Sequence, residues 1–169
     1  MNNKNIKSTL ISVATIIVLF GGLIWLSRNE TGNGEANISQ SGGGTLSAEE
    51  ISFDFGAISM ANGKVSHIFK IKNESGEPAM ISKIYTSCMC TEATLTRGDK
   101  KSGPFGMPGH SGIPKINETI NPGESVDVEA VFDPAAHGPS GVGLADRVVF
   151  VEDGAGQQLQ LKFKAMVTP

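Results

Sequence analysis

The sequence has little of what several protein classes require. Its 169 residues include only two cysteines, too few for a disulfide-dense scaffold. Only 18% of the residues are charged and the formal net charge is -3, so we expect no nucleic-acid partner bound through a basic surface. Walker-type phosphate loops and the HExxH and GxSxG motifs are absent from the sequence. We therefore do not expect an enzyme, with thiol–disulfide exchange as the only activity that the residues suggest.

The start of the chain has the pattern of a membrane anchor. An uncharged apolar run fills residues 9–27, about the length that crosses a bilayer, and Trp25 stands at its far end, where interfacial aromatic residues occur. Lys4 and Lys7 favour a cytoplasmic position for residues 1–8. The alternative is a cleaved signal peptide, but no small-x-small cleavage site follows the run. We predict a single-pass signal anchor in the lipid bilayer, with the C-terminal domain in the periplasm or at the cell surface.

After the apolar run the composition changes twice. Residues 28–48 are rich in glycine, asparagine and serine, which is typical of a flexible linker. From residue 49 onward, apolar and polar residues alternate in short runs separated by turn signals such as AsnProGly at 121–123. This pattern predicts an all-β, immunoglobulin-like antiparallel β-sandwich of about seven strands over residues 49–169. A loop insertion is predicted at about residues 96–119.

Four motifs in this order resemble a known bacterial family. They are FDFG at 53–56, VSHIFKIKNESGEP at 65–78, YTSCMCTEA at 85–93 and INPGESVDVEAVFDP at 120–134. The chain is similar over about residues 51–167 to the domain of unknown function 1573, which is itself similar to Hydin-like and major-sperm-protein-like immunoglobulin sandwiches. The resemblance implies the fold but no biochemical role. The family typically has Cys-Gly-Cys-Thr where this chain has Met89 between its cysteines.

The sharpest chemical feature is the pair Cys88 and Cys90. On a regular strand, residues i and i+2 share a face, with their Cα atoms about 6.6 Å apart. A disulfide usually needs about 5.5–6 Å between these atoms, so it would be strained here unless a bulge or bend relieved it. Two thiolates that share a metal ion need sulfurs roughly 3.7 Å apart, which two side chains on one face can reach. The strand geometry thus favours metal binding over a permanent disulfide.

The predicted loop insertion contains further soft ligands. Met107-Pro108-Gly109-His110 has the proline and glycine of a type II turn, which would bring Met107 and His110 within about 7 Å of each other. Thiolate and thioether sulfur favour Cu(I), whereas cysteine and histidine without methionine favour Zn(II). We predict a Cu(I) site formed by Cys88, Cys90, Met107 and His110, with His137 as a further or substitute ligand.

Two alternatives remain open at this point. The chain could be a non-catalytic interaction module that binds a cell-envelope protein and has structural cysteines, with His137 capping a turn. It could also be a thiol–disulfide oxidoreductase that uses Cys88 and Cys90. Met89, on the opposite strand face, is expected to pack rather than bind metal. His67 shares its parity with Val65 and Phe69, so we expect it at the rim of the sandwich with a hydrogen-bond partner.

Overall fold

The structure is a computed structural model that describes residues 45–109 and 115–169. In these residues the chain forms an all-β sandwich of two five-stranded sheets. The predicted immunoglobulin-like sandwich is thus confirmed, with ten strands in the described ranges rather than about seven. The strands are β1 (Leu46–Ala48), β2 (Ser52–Ser59), β3 (Val65–Asn73), β4 (Ala79–Thr86), β5 (Thr91–Arg97), β6 (Lys100–Phe105), β7 (Lys115–Ile120), β8 (Ser125–Phe132), β9 (Gly143–Asp153) and β10 (Gln158–Thr168). Short 3₁₀ helices cover Met60–Asn62 and Gly138–Gly141.

The order of the strands corrects the prediction of a fully antiparallel sandwich. The first sheet has the order β1-β3-β8-β5-β6, and the second has the order β2-β10-β9-β4-β7. Strand β2 pairs in parallel with β10, so the second sheet is mixed. A parallel pair cannot be joined by a tight hairpin, and these two strands lie near opposite ends of the domain sequence. Apolar–polar alternation shows which face of a strand is buried, but it carries no information about strand direction.

The core lies between the two sheets and follows the alternation in the sequence. In β10 every second side chain from Leu159 to Val167 is buried, and its neighbours are exposed. Phe69 in β3 and Phe163 in β10 are among the largest fully buried side chains. Burial of such side chains is worth about 1.5–3 kcal/mol each. His67 lies as predicted among partly buried residues, where it contacts Glu50 at 2.9 Å and stacks on Phe53.

Short edge strands occupy segments that the sequence analysis assigned to a linker and a loop. Strand β1 pairs with β3 although residues 46–48 belong to the predicted linker. Strand β6 and most of β7 fall inside the predicted insertion at 96–119. All three lie at sheet edges and have one strand neighbour each. Because an edge strand buries fewer side chains, it needs less alternation, and its signal in the sequence is weak.

The described part of the chain has no helix long and apolar enough to cross a membrane. The predicted anchor at 9–27, the segment 1–8 and most of the predicted linker lie outside the described residues. The prediction of a membrane anchor therefore stays a prediction.

Two connections between the sheets meet at one end of the sandwich. Strand β4 belongs to the second sheet and β5 to the first, so residues 87–90 cross from one sheet to the other. Strands β8 and β9 are likewise in different sheets, and residues 133–142 join them. The first residue of β5, Thr91, pairs with the last residue of β8, Phe132. This register brings the two connections side by side.

Candidate metal and disulfide site

The cysteines lie in the turn between β4 and β5 and not on a strand, which corrects the prediction. Thr91 N donates a hydrogen bond to Cys88 O at 3.1 Å, closing the turn. The hydroxyl of buried Thr86 lies 3.0 Å from the carbonyl oxygens of both Cys88 and Thr91. These contacts hold the turn from inside the sandwich, so its geometry is fixed by the two strands that it joins.

The turn brings the cysteines closer together than a strand would. Their Cα atoms are 5.3 Å apart, which is within the ordinary range for a disulfide, and the two cysteines form a disulfide bond. The prediction of metal binding stays a prediction, but the expected Cα separation of about 6.6 Å is wrong. It assumed an extended strand, and the bend that relieves the strain is present. Cys88 is half-buried, whereas Cys90 is only 2% exposed.

His137 reaches the cysteine turn from the other connection. Its Nε2 lies 3.2 Å from Cys88 Sγ, and the ligand atoms of Cys88, Cys90 and His137 all lie within 4.8 Å of one another. His137 immediately precedes the 3₁₀ helix Gly138–Gly141, but in the described structure its side chain makes no capping hydrogen bond. The alternative expectation, that His137 caps a turn, is therefore wrong for its side chain.

Backbone contacts hold His137 at this place. Asp133 N donates to Cys90 O at 2.9 Å, which ties the start of the second connection to the cysteine turn. Ser140 Oγ donates to His137 O at 2.7 Å and fixes the backbone beside the imidazole. The proximity of His137 to Cys88 therefore follows from the pairing of β5 with β8, although 49 residues separate the two in the sequence.

Arg147 is a functional candidate that the sequence analysis did not identify. Its Nε donates to Cys90 Sγ at 3.1 Å, and its Nη1 donates to Asp146 O at 2.8 Å. Ser87 and Val148 exchange two hydrogen bonds of 2.9 Å, which hold β9 against the cysteine turn. The sequence contains a signal for this role. Arg147 and the buried residue Val149 are two positions apart on one strand, so their side chains lie on the same face, where a charged residue is unusual.

Each sulfur atom accepts a hydrogen bond from a nitrogen donor. Cys88 Sγ accepts the Cys90 N–H at 3.3 Å and faces the imidazole of His137. Cys90 Sγ accepts from the guanidinium of Arg147. Hydrogen bonds and positive charge stabilise a thiolate relative to a thiol. Once the disulfide is reduced, this environment therefore favours the form of cysteine that binds metals and attacks disulfides.

The structure describes only part of the other predicted ligand set. Met107 is half-buried, and it follows Gly106, whose carbonyl oxygen accepts from Thr86 N at 3.2 Å. This bond ties the chain before Met107 to the end of β4, two residues ahead of Cys88. His110 lies outside the described residues, so Met107 and His110 remain predicted ligands. Met89 is 53% exposed, so the expectation that it packs is wrong.

Comparison with solved structures supports the fold alone. A protein of unknown function from Porphyromonas gingivalis W83 is similar with a TM-score of 0.53 and 15% identity, covering 73% of this chain and 46% of that one. The secreted serine protease VesC from Vibrio cholerae has a TM-score of 0.47 and 12% identity, covering 78% and 25%. The PapD-like domain 7 of human CEP192 has a TM-score of 0.45 and 9% identity, covering 73% and 85%. This chain thus spans less than half the length of the Porphyromonas protein.

No curated protein matches the sequence. Comparison with protein families, in contrast, gives a match. The profile of the family described as "Protein of unknown function (DUF1573)" matches residues 46–106. This range runs from β1 to the end of β6 and includes the cysteine turn. The resemblance to the DUF1573 family that the sequence motifs predict is therefore confirmed over residues 46–106.

Proposed function

We propose that this chain is a membrane-anchored, extracytoplasmic immunoglobulin-like module whose reduced cysteine pair binds Cu(I) together with His137. One observation carries the proposal. Two sulfur atoms and one imidazole nitrogen lie within 4.8 Å of one another at the end of the sandwich. Three such atoms can surround one soft metal ion after small side-chain movements. The anchor and the location come from the apolar run at 9–27 and the lysines that precede it.

The ligand set and the charge of the site both favour Cu(I). Thiolate sulfur is a soft ligand that selects Cu(I) and Zn(II) among the common metal ions. Cu(I) with two thiolates carries one net negative charge, which the guanidinium of Arg147 beside Cys90 balances. Zn(II) with the same thiolates is neutral and would leave the charge of Arg147 unbalanced. The position of Arg147 therefore supports Cu(I) over Zn(II).

The disulfide makes this metal site dependent on redox state. A metal ion binds thiolates, so the Cys88–Cys90 bond must be reduced before the pair can act as ligands. Oxidised and reduced protein then differ in metal affinity without any substitution. This difference provides an internal control for adventitious copper bound elsewhere on the chain.

The proposal is tested by titration of the full chain in detergent micelles. The protein is reduced, freed of reductant under anaerobic conditions, and titrated with Cu(I) against a chromophoric chelator. We expect one Cu(I) per reduced chain and none at this site in the oxidised chain. The variants Cys88→Ser, Cys90→Ser and His137→Ala should each weaken binding by at least the roughly 10–100-fold that is typical when a group supporting a ligand is lost.

Two further sets of variants sharpen the result. His67→Ala removes a histidine that contacts Glu50 and not the cysteines, so its Cu(I) affinity should equal that of the unaltered chain. Met107→Ala and His110→Ala measure whether the predicted loop ligands contribute. Unchanged affinity in both cysteine variants and in His137→Ala would contradict the proposed site.

A further inference from the structure

We infer that the Cys88–Cys90 disulfide is exchangeable and oxidises dithiols, with Cys88 as the sulfur that is attacked and Arg147 stabilising Cys90 as the leaving thiolate. This activity does not depend on metal binding. It rests on the different surroundings of the two sulfur atoms and on the guanidinium that contacts only one of them in the described structure.

The two sulfurs differ in access. Cys88 is half-buried at the surface end of the turn, whereas Cys90 is 2% exposed and belongs to the buried core between the sheets. An attacking thiolate must approach a disulfide sulfur directly, so access decides which sulfur reacts. A thiolate arriving from solvent therefore meets Cys88.

Arg147 is placed on the sulfur that would leave. When a thiolate bonds to Cys88 Sγ, the electron pair of the Cys88–Cys90 bond moves to Cys90 Sγ. The Nε–H of Arg147 already donates to this atom at 3.1 Å, and a guanidinium stays charged throughout the physiological pH range. A donor that is in place before charge develops stabilises the transition state at no cost of rearrangement. Because Arg147 contacts a sulfur atom of the bond that breaks, it acts directly on a reacting atom.

The complete reaction balances with a dithiol as the reductant. One thiolate of the dithiol attacks Cys88 and forms a mixed disulfide, and Cys90 is released as a thiolate. The second thiolate of the dithiol then attacks the dithiol sulfur that is bonded to Cys88. This closes the disulfide of the oxidised dithiol and releases Cys88 as a thiolate beside His137. Two electrons pass from the dithiol to the cysteine pair, and the two protons of the dithiol are left to the new thiolates or to solvent.

The surroundings also set the direction of exchange. The Cys90 N–H beside Cys88 Sγ and the guanidinium beside Cys90 Sγ favour thiolates, which exist only in the reduced form. A disulfide whose reduced form is stabilised is a stronger oxidant. The pair is therefore expected to accept electrons from a dithiol, rather than to remain as an inert structural bond.

The first test measures the rate of reduction. The oxidised full chain in micelles, with EDTA present, reacts with dithiothreitol, and acid-quenched samples are weighed by mass spectrometry. We expect Arg147→Gln to slow the reaction by roughly tenfold or more, as when a hydrogen bond to a charged group is lost. Arg147→Lys should recover most of the rate, and Lys101→Gln, which removes an exposed charge elsewhere, should leave the rate unchanged. Equal rates in the unaltered chain and Arg147→Gln, or no recovery with lysine, would overturn the role of Arg147.

The second test needs no substitution and maps the attacked sulfur. The oxidised chain is mixed with glutathione, a monothiol, and trapped within seconds by acid and alkylation. Peptide mapping should find the mixed disulfide on Cys88 in at least roughly tenfold excess over Cys90. Equal labelling, labelling mainly on Cys90 or no adduct would refute the inference. Because EDTA is present throughout, these outcomes are independent of Cu(I) binding.

Discussion

Reduction of the Cys88–Cys90 disulfide should leave the sandwich folded and only slightly less stable. The bond closes a ring from residue 88 to residue 90, with a sequence separation of 2. In the chain-entropy model, a disulfide stabilises by restricting the unfolded chain, and the effect grows with the logarithm of loop length. For so short a ring it amounts to about 1.6 kcal/mol at 25 °C, below the 2–4 kcal/mol of a typical disulfide.

The packing of the sandwich supports the same expectation. The largest fully buried side chains, including Phe69, Ile71 and Phe163, lie on strands and not in the cysteine turn. Backbone hydrogen bonds also hold the cysteine turn, through Thr91 N to Cys88 O and Asp133 N to Cys90 O. Both proposed activities need this property, since each requires a folded reduced state.

Urea denaturation of the full chain, followed by circular dichroism with and without reductant, measures the difference. We expect a loss of at most about 1–2 kcal/mol in the free energy of unfolding on reduction, because the donors that stabilise the two thiolates offset part of the lost ring closure. The Cys88→Ala/Cys90→Ala double variant is the control, because reductant should not change its transition. Unfolding of the reduced chain in the absence of urea, or a loss above about 4 kcal/mol, would refute the reasoning and identify the bond as structural.

Three further predictions concern the sandwich itself. Phe69→Ala should lower the free energy of unfolding by about 3–5 kcal/mol, whereas Ile68→Ala, at a neighbouring exposed position, should change it by less than about 0.5 kcal/mol in the same urea assay. Asn73→Ala should cost roughly 1–3 kcal/mol, because the buried amide donates to two backbone carbonyls that would lose their partner; an unchanged urea midpoint would contradict this. Arg97 lowers the pKa of Glu124 from 4.5 to about 2, so this carboxylate stabilises the fold above about pH 4.5 and its contribution is lost as the pH falls towards 2. Glu124→Gln should therefore flatten the dependence of stability on pH in that interval, and an unchanged slope would count against the ion pair.

The sandwich could be predicted from the sequence because burial on one face leaves a record of period two. The central strands β8 and β10 have the cleanest alternation, and each has a neighbour on both sides. Strand β6, with two lysines, a glycine and a proline in its six residues, has one neighbour and little buried surface. Its pairing depends on the hairpin with β5 rather than on its own side chains, so composition indicated a loop.

The candidate site shows where a local pattern stops being informative. The spacing of Cys88 and Cys90 identified the reactive position, but the parity argument assumed that the strand continued through it. The chain instead leaves β4 after Thr86 and crosses to the other sheet, so the two cysteines lie in a turn. His137 and Arg147 join them through the pairing of strands far apart in the sequence. That register depends on the whole fold and cannot be obtained from motif spacing.

The most direct test of the proposed function is X-ray absorption at the copper edge of the reduced, Cu(I)-loaded full chain. The account predicts two thiolate sulfurs and an imidazole nitrogen bound to copper, with the imidazole contribution reduced in His137→Ala. A spectrum without sulfur ligands, or an imidazole contribution that His137→Ala leaves unchanged, would contradict the site formed by Cys88, Cys90 and His137.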